Sequence, residues 1–316
     1  RSNIKVEKYD ALANEMRDSN LQLTVELMLG LPGATLKGFI EDLQQCIDRD
    51  IQARINHTTM LVNSPMNNPD YRAEHQIETG QELGPGKMPV LVSTRTYTRD
   101  DMDKMLAIRG MFMMADNFGM LRIISRFVRQ QTGMDEMSLY QRLMEAQENE
   151  GLQKRYPLLA SYAKFGSDLM APIYSWTLLM TELREFLIEQ CDVPDDSALD
   201  AVIAAQLSVL PAHGREYPCS VALQHDVAAW YEQMLAAKAA GHWKDWHLVI
   251  PCLSEFAPST LEVDDADGWV TKMLGCDIEM SANGVNWDME SRIARASVRQ
   301  DFTPAYNKEI DVIEVG

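Results

Sequence analysis

The chain has 316 residues, of which 46% are apolar and 24% are charged, and this composition excludes a disordered or fibrous protein. Its formal net charge of -18 would repel a phosphate backbone, so nucleic acid is not expected as a partner. No run of residues approaches the ~18 consecutive apolar positions that span a bilayer, so no membrane partner is expected either.

The first part of the chain has the pattern of alternating helices and strands. Residues 4–19 are predicted to form a helix, and leucine and valine then alternate with other residues over 21–29, as in a strand. The strand leads into Gly30-Leu31-Pro32-Gly33. Phe39, Leu43 and Ile47 follow at helical spacing, and a second strand is predicted over 53–62.

This order of elements is the repeating unit of an α/β sheet or barrel, and a right-handed crossover makes the two strands parallel. Two strands cannot close a barrel, so the first ~95 residues are predicted to complete a sheet whose earlier strands lie upstream. The chain starts at Arg1 without a methionine or a signal sequence. We therefore expect the missing N-terminal part of the same polypeptide to be a partner.

The remainder of the chain is predicted to be mainly helical. Residues 65–89 are rich in Asn, Pro and Gly, which indicates an ordered loop or short linker, and a domain boundary is placed near residue 95. Helical patterns cover 100–118, 120–131, 135–149, 155–190, 196–209 and 220–241. A strand over Thr260–Val263 and a hairpin turn at Asn283-Gly284 predict a small antiparallel sheet near the C-terminus.

These elements predict an α/β fold class. Residues 1–95 would form the C-terminal portion of a parallel β/α barrel, 96–257 a helical extension, and 258–316 a small antiparallel β region with a tail.

The Gly30-Leu31-Pro32-Gly33 loop is the segment of the sequence most suited to binding. Its glycines present no side chain, so backbone amides can approach a ligand closely. Composition alone favours a tight strand-to-helix turn that binds nothing. Two nucleotide-binding motifs are excluded, because Ala34-Thr35 replaces the Gly-Lys of a P-loop and Pro32 replaces the second glycine of GxGxxG.

Two segments resemble the last strands of the barrel in radical S-adenosylmethionine enzymes. The first runs from Glu26 to Thr35 and is followed by Phe39 to Leu43, and the second is Leu61-Val62-Asn63-Ser64-Pro65-Met66. The resemblance is greatest to members that carry a cobalamin-binding domain. It covers about residues 20–70, and extends more loosely into the helical region. In this family the first segment is the fifth barrel strand with its GLPGxT loop, and the second is the sixth strand.

The resemblance implies a cofactor site at the ends of these two strands. Met28, Gly30, Leu31 and Gly33 would flank the adenosyl group of S-adenosylmethionine, and the end of the sixth strand would close over adenine. Val62 and Asn63 are the residues at that end. Two departures from the family pattern are Val62, at the place of a proline, and Ala34, at the place of a glutamate.

The resemblance also implies a [4Fe–4S] cluster in the full-length protein, and its likeness to the members with a cobalamin-binding domain adds cobalamin as a candidate cofactor. The family's CxxxCxxC motif is absent, because the five cysteines are scattered singly, at positions 46, 191, 219, 252 and 276. The chain alone is therefore expected to be inactive and to hold no metal, and its catalytic residues and small-molecule substrate are not identified. Scattered cysteines favour reduced thiols and a cytoplasmic location.

Other candidate residues have simpler explanations. His57 lies in the predicted sixth strand and is interpreted as a packed core histidine rather than a substrate contact. His225-Asp226 could form an acid–base pair, but adjacent helical residues point apart. The acidic run that starts at Asp264 lacks carboxylates at the first and last positions of a calcium loop and is interpreted as a solvated turn.

Two alternatives to the enzyme hypothesis stay open. The chain could be a non-catalytic helical scaffold or interaction module in which the glycine-containing turn is structural. It could also be a stand-alone nucleotide-binding α/β domain.

Overall fold

The computed structural model describes residues 24–83, 88–117, 119–168, 176–210 and 217–264. The strands are β1 (Thr24–Leu29), β2 (Gln52–His57), β3 (Glu78–Leu83), β4 (Met88–Ser93), β5 (Cys219–Leu223) and β6 (Ser259–Val263). The first helices are α1 (Leu36–Asp48), α2 (Pro69–His75), α3 (Arg99–Phe112), α4 (Arg122–Thr132), α5 (Glu136–Glu148) and α6 (Glu150–Arg155). They are followed by α7 (Pro157–Asp168), α8 (Trp176–Cys191), α9 (Ser197–Val209), α10 (Val227–Ala239) and α11 (Trp246–Val249).

The described residues form a mixed α/β fold with more helix than strand. β1 and β2 are parallel neighbours in register from Thr24 opposite Gln52 to Leu29 opposite His57, and α1 connects them. This confirms the predicted strand–helix–strand unit. The further expectation that the unit belongs to a barrel stays a prediction, since β1 and β2 form a sheet of two strands within the described ranges.

α1 forms because its sequence has both an N-terminal cap and one apolar face. The Thr35 hydroxyl accepts a hydrogen bond from the Gly38 amide at 3.0 Å, which satisfies one of the free amides at the helix start. Phe39, Leu43 and Ile47 are buried along one side of the helix. This side packs with Leu29, Ala53 and Ile55 of the two strands into the main hydrophobic core.

The region predicted as an ordered loop or short linker over 65–89 contains more secondary structure than expected in its described residues. It contains α2 and the antiparallel β3–β4 pair. β3 was missed because its sequence, ETGQEL, has no apolar alternation and its register is interrupted by a bulge between Thr79 and Glu82. The strand predicted over 53–62 ends at His57. The Thr58 amide still donates to the Leu29 carbonyl oxygen of β1, but the Thr58 carbonyl oxygen accepts from the Leu91 amide and the Met60 amide donates to the Pro89 carbonyl oxygen, so the chain turns there to pair with β4.

Two predicted helices differ from the structure for local reasons. The helix predicted over 155–190 is interrupted at Tyr156, because Pro157 begins α7 and disfavours a helical conformation in the preceding residue. The helix predicted over 220–241 was wrong in its first turns. Residues Cys219–Leu223 form β5, and α10 begins after Asp226, whose side chain accepts from the Ala229 amide at 3.0 Å.

The last described strand is close to its predicted position, with a different partner. β6 covers Ser259–Val263 and pairs antiparallel with β5, so the sheet joins two distant segments of the chain. The hairpin turn predicted at Asn283-Gly284 lies outside the described residues, as do the helix predicted over 4–19, Cys276 and His213. Among the described residues, no helix is long and apolar enough to cross a membrane.

The main core continues across residue 95, where the domain boundary was predicted. α1 packs on α3 and α5, and Leu43 of α1 belongs to the same buried cluster as Phe112 of α3. α3 is followed by a π-helical turn over Met113–Asn117. The Asn117 side chain accepts a hydrogen bond from the Ala53 amide at 3.1 Å, which connects that turn to β2.

A buried charge cluster joins α1 to the helical region. The cluster consists of Asp48, Asp116, Arg126, Arg129, Glu136 and Lys238, each at most 8% exposed. Arg129 Nη1 lies 2.7 Å from Asp48 Oδ1 and 2.8 Å from Glu136 Oε2, and Arg126 pairs with Asp116. Gln44 of α1 donates to both Asp48 and Glu136, at 2.9 and 2.8 Å.

Two carboxylates of the cluster, those of Asp116 and Glu136, stay ionised in spite of burial. Burial by itself would raise the pKa of Asp116, but the Arg126 guanidinium outweighs burial and holds this pKa below its usual range. The same balance, with Arg126 and then Arg129 as the cations, lowers the pKa of Glu136. These carboxylates therefore stabilise the fold above their unfolded-state pKa values, and that contribution is lost as the pH falls.

We predict that Arg129→Met destabilises the fold by about 3–5 kcal/mol, because the carboxylates of Asp48 and Glu136 would stay buried without their shared cation. Arg142→Met is the matched control. Arg142 pairs with Glu145 at the surface, where both side chains are more than 40% exposed, and its loss should cost less than about 1 kcal/mol. Denaturant unfolding of both variants measures the difference, and equal losses would contradict the role given to the cluster.

Lys238 predicts a second rise of stability with pH, in the alkaline range rather than the acidic one. Its Nζ donates to the Ile47 carbonyl oxygen at 2.9 Å, while burial first and Arg126 second lower its pKa from 10.5 to about 8. Between these two pH values the unfolded chain binds a proton that the folded chain lacks, so stability from this group rises with pH. We expect a rise of about 3 kcal/mol over that window, absent in Lys238→Met, in unfolding free energies measured at several pH values.

Candidate functional site

The residues predicted to bind the cofactor lie at one edge of the β1–β2 pair. Met28 is near the end of β1, the loop that contains Gly30, Leu31 and Gly33 follows it, and residues 62–63 come a few positions after β2. Because β1 and β2 are parallel, their carboxyl ends meet at the same edge of the sheet. This is the edge where ligands bind in open α/β sheets and in barrels.

This carboxyl edge carries unusually exposed apolar side chains. Of the seven large apolar residues that are exposed among the described residues, four are at this edge. They are Met28 (45% exposed), Leu31 (40%), Leu61 (50%) and Val62 (83%). Exposed apolar side chains gathered at one place are typical of an interaction or ligand-binding surface.

The two faces of the β1–β2 pair differ in character. One face packs on α1 through Leu29, Ala53 and Ile55. On the opposite face, Glu26 lies next to Arg54 and Met28 next to Asn56 in the parallel register. Glu26, Met28 and Arg54 are exposed, so this face presents polar and charged groups leading up to the carboxyl edge.

The glycine loop, residues 30–33, is a tight turn between β1 and α1. The Ala34 amide donates to the Leu31 carbonyl oxygen at 2.9 Å, and both Gly30 (φ 86°) and Gly33 (φ 96°) occupy the left-handed region. A residue with a Cβ is strained in that region. The loop conformation therefore requires glycine at both positions.

The surroundings of the two glycines are different. A Cβ at Gly30 would lie 2.5 Å from Met102 Cε and 3.1 Å from the Tyr97 hydroxyl oxygen, so protein atoms occupy this space. At Gly33 a Cβ would meet nothing within 4 Å. Gly33 is therefore the position where a ligand could approach the backbone, whereas Gly30 is required by internal packing.

The segment after β2 is a compact turn that displays Val62. The Ser64 amide donates to the Leu61 carbonyl oxygen at 3.0 Å, and the Asn67 side chain donates to the Val62 carbonyl oxygen at 3.1 Å. Leu61, Val62 and Asn63 are all exposed. The backbone of this turn is thus held by local hydrogen bonds while its side chains face outward.

His57 does not belong to the open face of the sheet. Its Nε2 lies 2.7 Å from the Leu91 carbonyl oxygen, and burial lowers its pKa. A neutral imidazole that donates to a backbone carbonyl is a structural arrangement. The interpretation of His57 as a packed, hydrogen-bonded histidine is confirmed.

His225 and Asp226 have separate structural roles. His225 Nε2 lies 2.8 Å from the Ser197 hydroxyl, and its Nδ1 lies 3.0 Å from the Phe256 carbonyl oxygen. Asp226 caps α10. The amides of Ala198 and Leu199, beside Ser197, already donate to the Asp196 carboxylate at 3.0 Å, so they do not form an oxyanion hole for a Ser–His pair.

Within the described ranges, no group of three or more His, Cys, Asp or Glu side chains could hold a metal ion. Burial raises the pKa of Cys46 and of Cys191 to about 12, which opposes the thiolate form that a metal requires. Cys219 lies in β5, and Cys252 lies next to a 3₁₀ turn. The described cysteines thus provide no cluster site.

A cavity of about 90 Å³ lies at the opposite end of the sheet. It is lined mainly by polar residues at the start of β2 and in the π-helical turn, namely Cys46, Asp50, Ile51, Gln52, Asp116, Asn117 and Arg122. A polar cavity of this size suits a few water molecules. It is not part of the carboxyl edge.

Two residues that lie against Gly30 of the glycine loop, Tyr97 and Met102, were not predicted from the sequence. Tyr97 donates from its hydroxyl to the Gly30 carbonyl oxygen at 2.7 Å, and it is 2% exposed. Met102, on α3, fills the space beside Gly30. Neither residue lies in a recognisable motif, and their distance from Gly30 along the chain is bridged only by the tertiary fold.

We predict that Gly30→Ala destabilises the fold more than Gly33→Ala does. Each variant carries backbone strain on the order of 1–3 kcal/mol at a positive φ, and only Gly30→Ala adds a steric conflict, with Met102. Unfolding free energies of the two variants measure the difference. Equal losses would show that the space beside Gly30 can adjust, and would remove the distinction between the two glycines.

The chain matches no protein-family model and no curated protein sequence. Its site is therefore described by geometry alone. That geometry consists of a parallel strand pair, an exposed apolar carboxyl edge, and a glycine loop with one packed and one open glycine.

Proposed function

We propose that this chain contributes the last strands and a helical extension to a radical S-adenosylmethionine enzyme. The carboxyl edge of β1 and β2 would hold the adenosyl part of the cofactor. One observation carries the proposal: all six residues predicted to contact the cofactor lie at this edge, where Met28, Leu31 and Val62 are exposed. A cofactor bound there would bury apolar side chains that are now in contact with water.

The shape and chemistry of the edge suit an adenosyl group. Leu31 and Val62 offer apolar surface to an aromatic base, and the open space at Gly33 admits a ligand close to the backbone. Met28 lies on the open face of the sheet, next to last in β1 and so near the loop. The protein would thereby position the cofactor and exclude water from it, while the cofactor supplies the reactive chemistry.

The open face of the sheet suits the interior of a barrel. In a parallel β/α barrel one face of each strand packs on the helices and the other faces the interior. Leu29, Ala53 and Ile55 contact α1, so Glu26, Arg54 and Asn56 would face the interior. A small-molecule substrate would then lie against a polar wall beneath the cofactor.

The described residues do not fit an iron–sulfur cluster. A [4Fe–4S] cluster needs several thiolates that converge on it, and Cys46 and Cys191 are buried singly in different elements. The cluster ligands of the proposed enzyme are therefore assigned to a CxxxCxxC motif outside this sequence. Without them this chain would be inactive.

When the cluster and S-adenosylmethionine are both bound, the chemistry supplied would be reductive cleavage of S-adenosylmethionine. The proposed outcome is radical hydrogen abstraction or a cobalamin-linked methyl transfer. The substrate is a small molecule of unspecified class, and the proposed location is the cytoplasm.

A second candidate function is a non-catalytic helical scaffold with a structural turn at the glycine loop. The close packing of Met102 and Tyr97 around Gly30 favours it, because this glycine is required even if nothing binds. The scaffold hypothesis leaves the exposure of Leu31 and Val62 without a role. The two hypotheses therefore differ in what they expect of surface substitutions at the carboxyl edge.

We predict that Val62→Glu in the full-length protein weakens S-adenosylmethionine binding at least about tenfold, because a carboxylate would replace apolar surface that packs on adenine. Leu248→Glu is the matched control, since Leu248 is 75% exposed on α11, outside the carboxyl edge. Both substitutions are at exposed positions and should leave the melting temperature unchanged.

The measurement is titration of S-adenosylmethionine into wild type and both variants after reconstitution of the cluster. Equal affinity for all three proteins would remove Val62 from the site. If the wild-type protein itself binds no S-adenosylmethionine, the enzyme proposal is wrong and the scaffold function is favoured.

A further inference from the structure

We infer that Tyr97 is a positioning residue for the glycine loop, and that it directs the Leu31 amide toward the bound ligand. The inference rests on the proposed function for the identity of that ligand, an adenosyl group. Its structural part, the control of the loop by Tyr97, stands on the contacts of the described residues.

Tyr97 is itself held rigidly. The Thr94 amide donates to the Tyr97 carbonyl oxygen at 3.0 Å, and the next residue, Thr98, begins α3 with a capping box to Asp101. The Tyr97 ring is 2% exposed. Burial raises the pKa of its hydroxyl, so the group stays a proton donor.

The hydrogen bond from Tyr97 determines the orientation of one peptide group in the loop. Its hydroxyl donates to the Gly30 carbonyl oxygen at 2.7 Å. A trans peptide is planar, with the carbonyl oxygen and the following N–H on opposite sides. Because the Gly30 oxygen is directed at the buried Tyr97, the Leu31 N–H points away from Tyr97, and Leu31 is 40% exposed.

This orientation leaves a backbone donor for a ligand. Within the described ranges the Leu31 N–H has no hydrogen-bond partner, whereas the Leu31 carbonyl oxygen accepts from the Ala34 amide at 2.9 Å. A free amide at the exposed edge of a glycine loop can bind a ligand oxygen or ring nitrogen. The Met102 side chain occupies the space beside Gly30, where a Cβ would lie 2.5 Å from Met102 Cε.

The inference gives the helical extension a role at the carboxyl edge. Tyr97 and Met102 come from the start of that extension, and Gly30 comes from the end of β1. The extension would therefore set the loop conformation that the ligand meets.

The first test compares Tyr97→Phe with Tyr217→Phe by amide hydrogen exchange in the 316-residue chain. Tyr217 is a matched control, because its hydroxyl also donates to backbone carbonyl oxygens, those of Ser208 and Leu210, at 3.1 and 3.2 Å. We expect Tyr97→Phe to accelerate exchange at the Ala34 amide, which donates to the Leu31 carbonyl oxygen, about tenfold, as for loss of one hydrogen bond. Tyr217→Phe should leave that amide unchanged.

The second test titrates S-adenosylmethionine into the full-length reconstituted protein. We expect Tyr97→Phe to weaken binding about tenfold, with iron content unchanged, while Tyr217→Phe binds as wild type does. Thermal melting of both variants separates this effect from a general loss of stability, since each variant loses a hydrogen bond of the same kind.

The outcomes distinguish the inference from the proposed function. Unchanged exchange at the loop in folded Tyr97→Phe would overturn the positioning role. Faster exchange with unchanged affinity would overturn its link to the ligand. Failure of the wild-type protein to bind S-adenosylmethionine would refute the proposed function, and with it the ligand assigned to the Leu31 amide, while the exchange result would still decide whether Tyr97 controls the loop.

Discussion

Arg129 of α4 places one guanidinium between two buried carboxylates, Asp48 at the end of α1 and Glu136 at the start of α5. Its contacts cannot be exchanged for water, because all three side chains are at most 6% exposed. A buried ion pair adds little net stability compared with apolar packing, but it tolerates few alternative arrangements. The position of α1 relative to the helical region therefore depends on this residue, together with Gln44, which donates to Asp48 and Glu136, and Lys238, which donates to the Ile47 carbonyl oxygen of α1.

The position of α1 in turn determines the position of the candidate site. α1 packs against the face of the sheet that carries Leu29, Ala53 and Ile55, and the glycine loop connects β1 directly to α1. On the other side of the loop, Tyr97 and Met102 at the start of the helical region contact Gly30. The loop is thus held between two parts of the helical framework, and the apolar side chains of Leu31 and Val62 are left at the surface.

The arrangement explains why one glycine motif can support both a structural and a functional interpretation. Gly30 is enclosed by protein atoms, so its requirement for glycine follows from packing. Gly33 has open space in front of it, and its requirement follows from the backbone angle alone. A motif conserved for a ligand and a motif needed for a turn are indistinguishable in one sequence, whereas the space around each glycine separates them.

The sequence by itself determined the elements whose signals are local. The alternation in β1, the apolar spacing in α1 and the Thr35 cap are short-range patterns, and the parallel pairing of β1 and β2 followed from the chirality of the crossover. The carboxyl edge, with Met28, Leu31 and Val62, could be predicted from the sequence for the same reason. Tertiary structure alone decided the bulged β3, the pairing of β5 with β6, the buried charge cluster, and the contact of Tyr97 with Gly30. Each of these depends on residues far apart in the chain, whose interaction leaves no periodic pattern because its energy comes from burial and mutual hydrogen bonding.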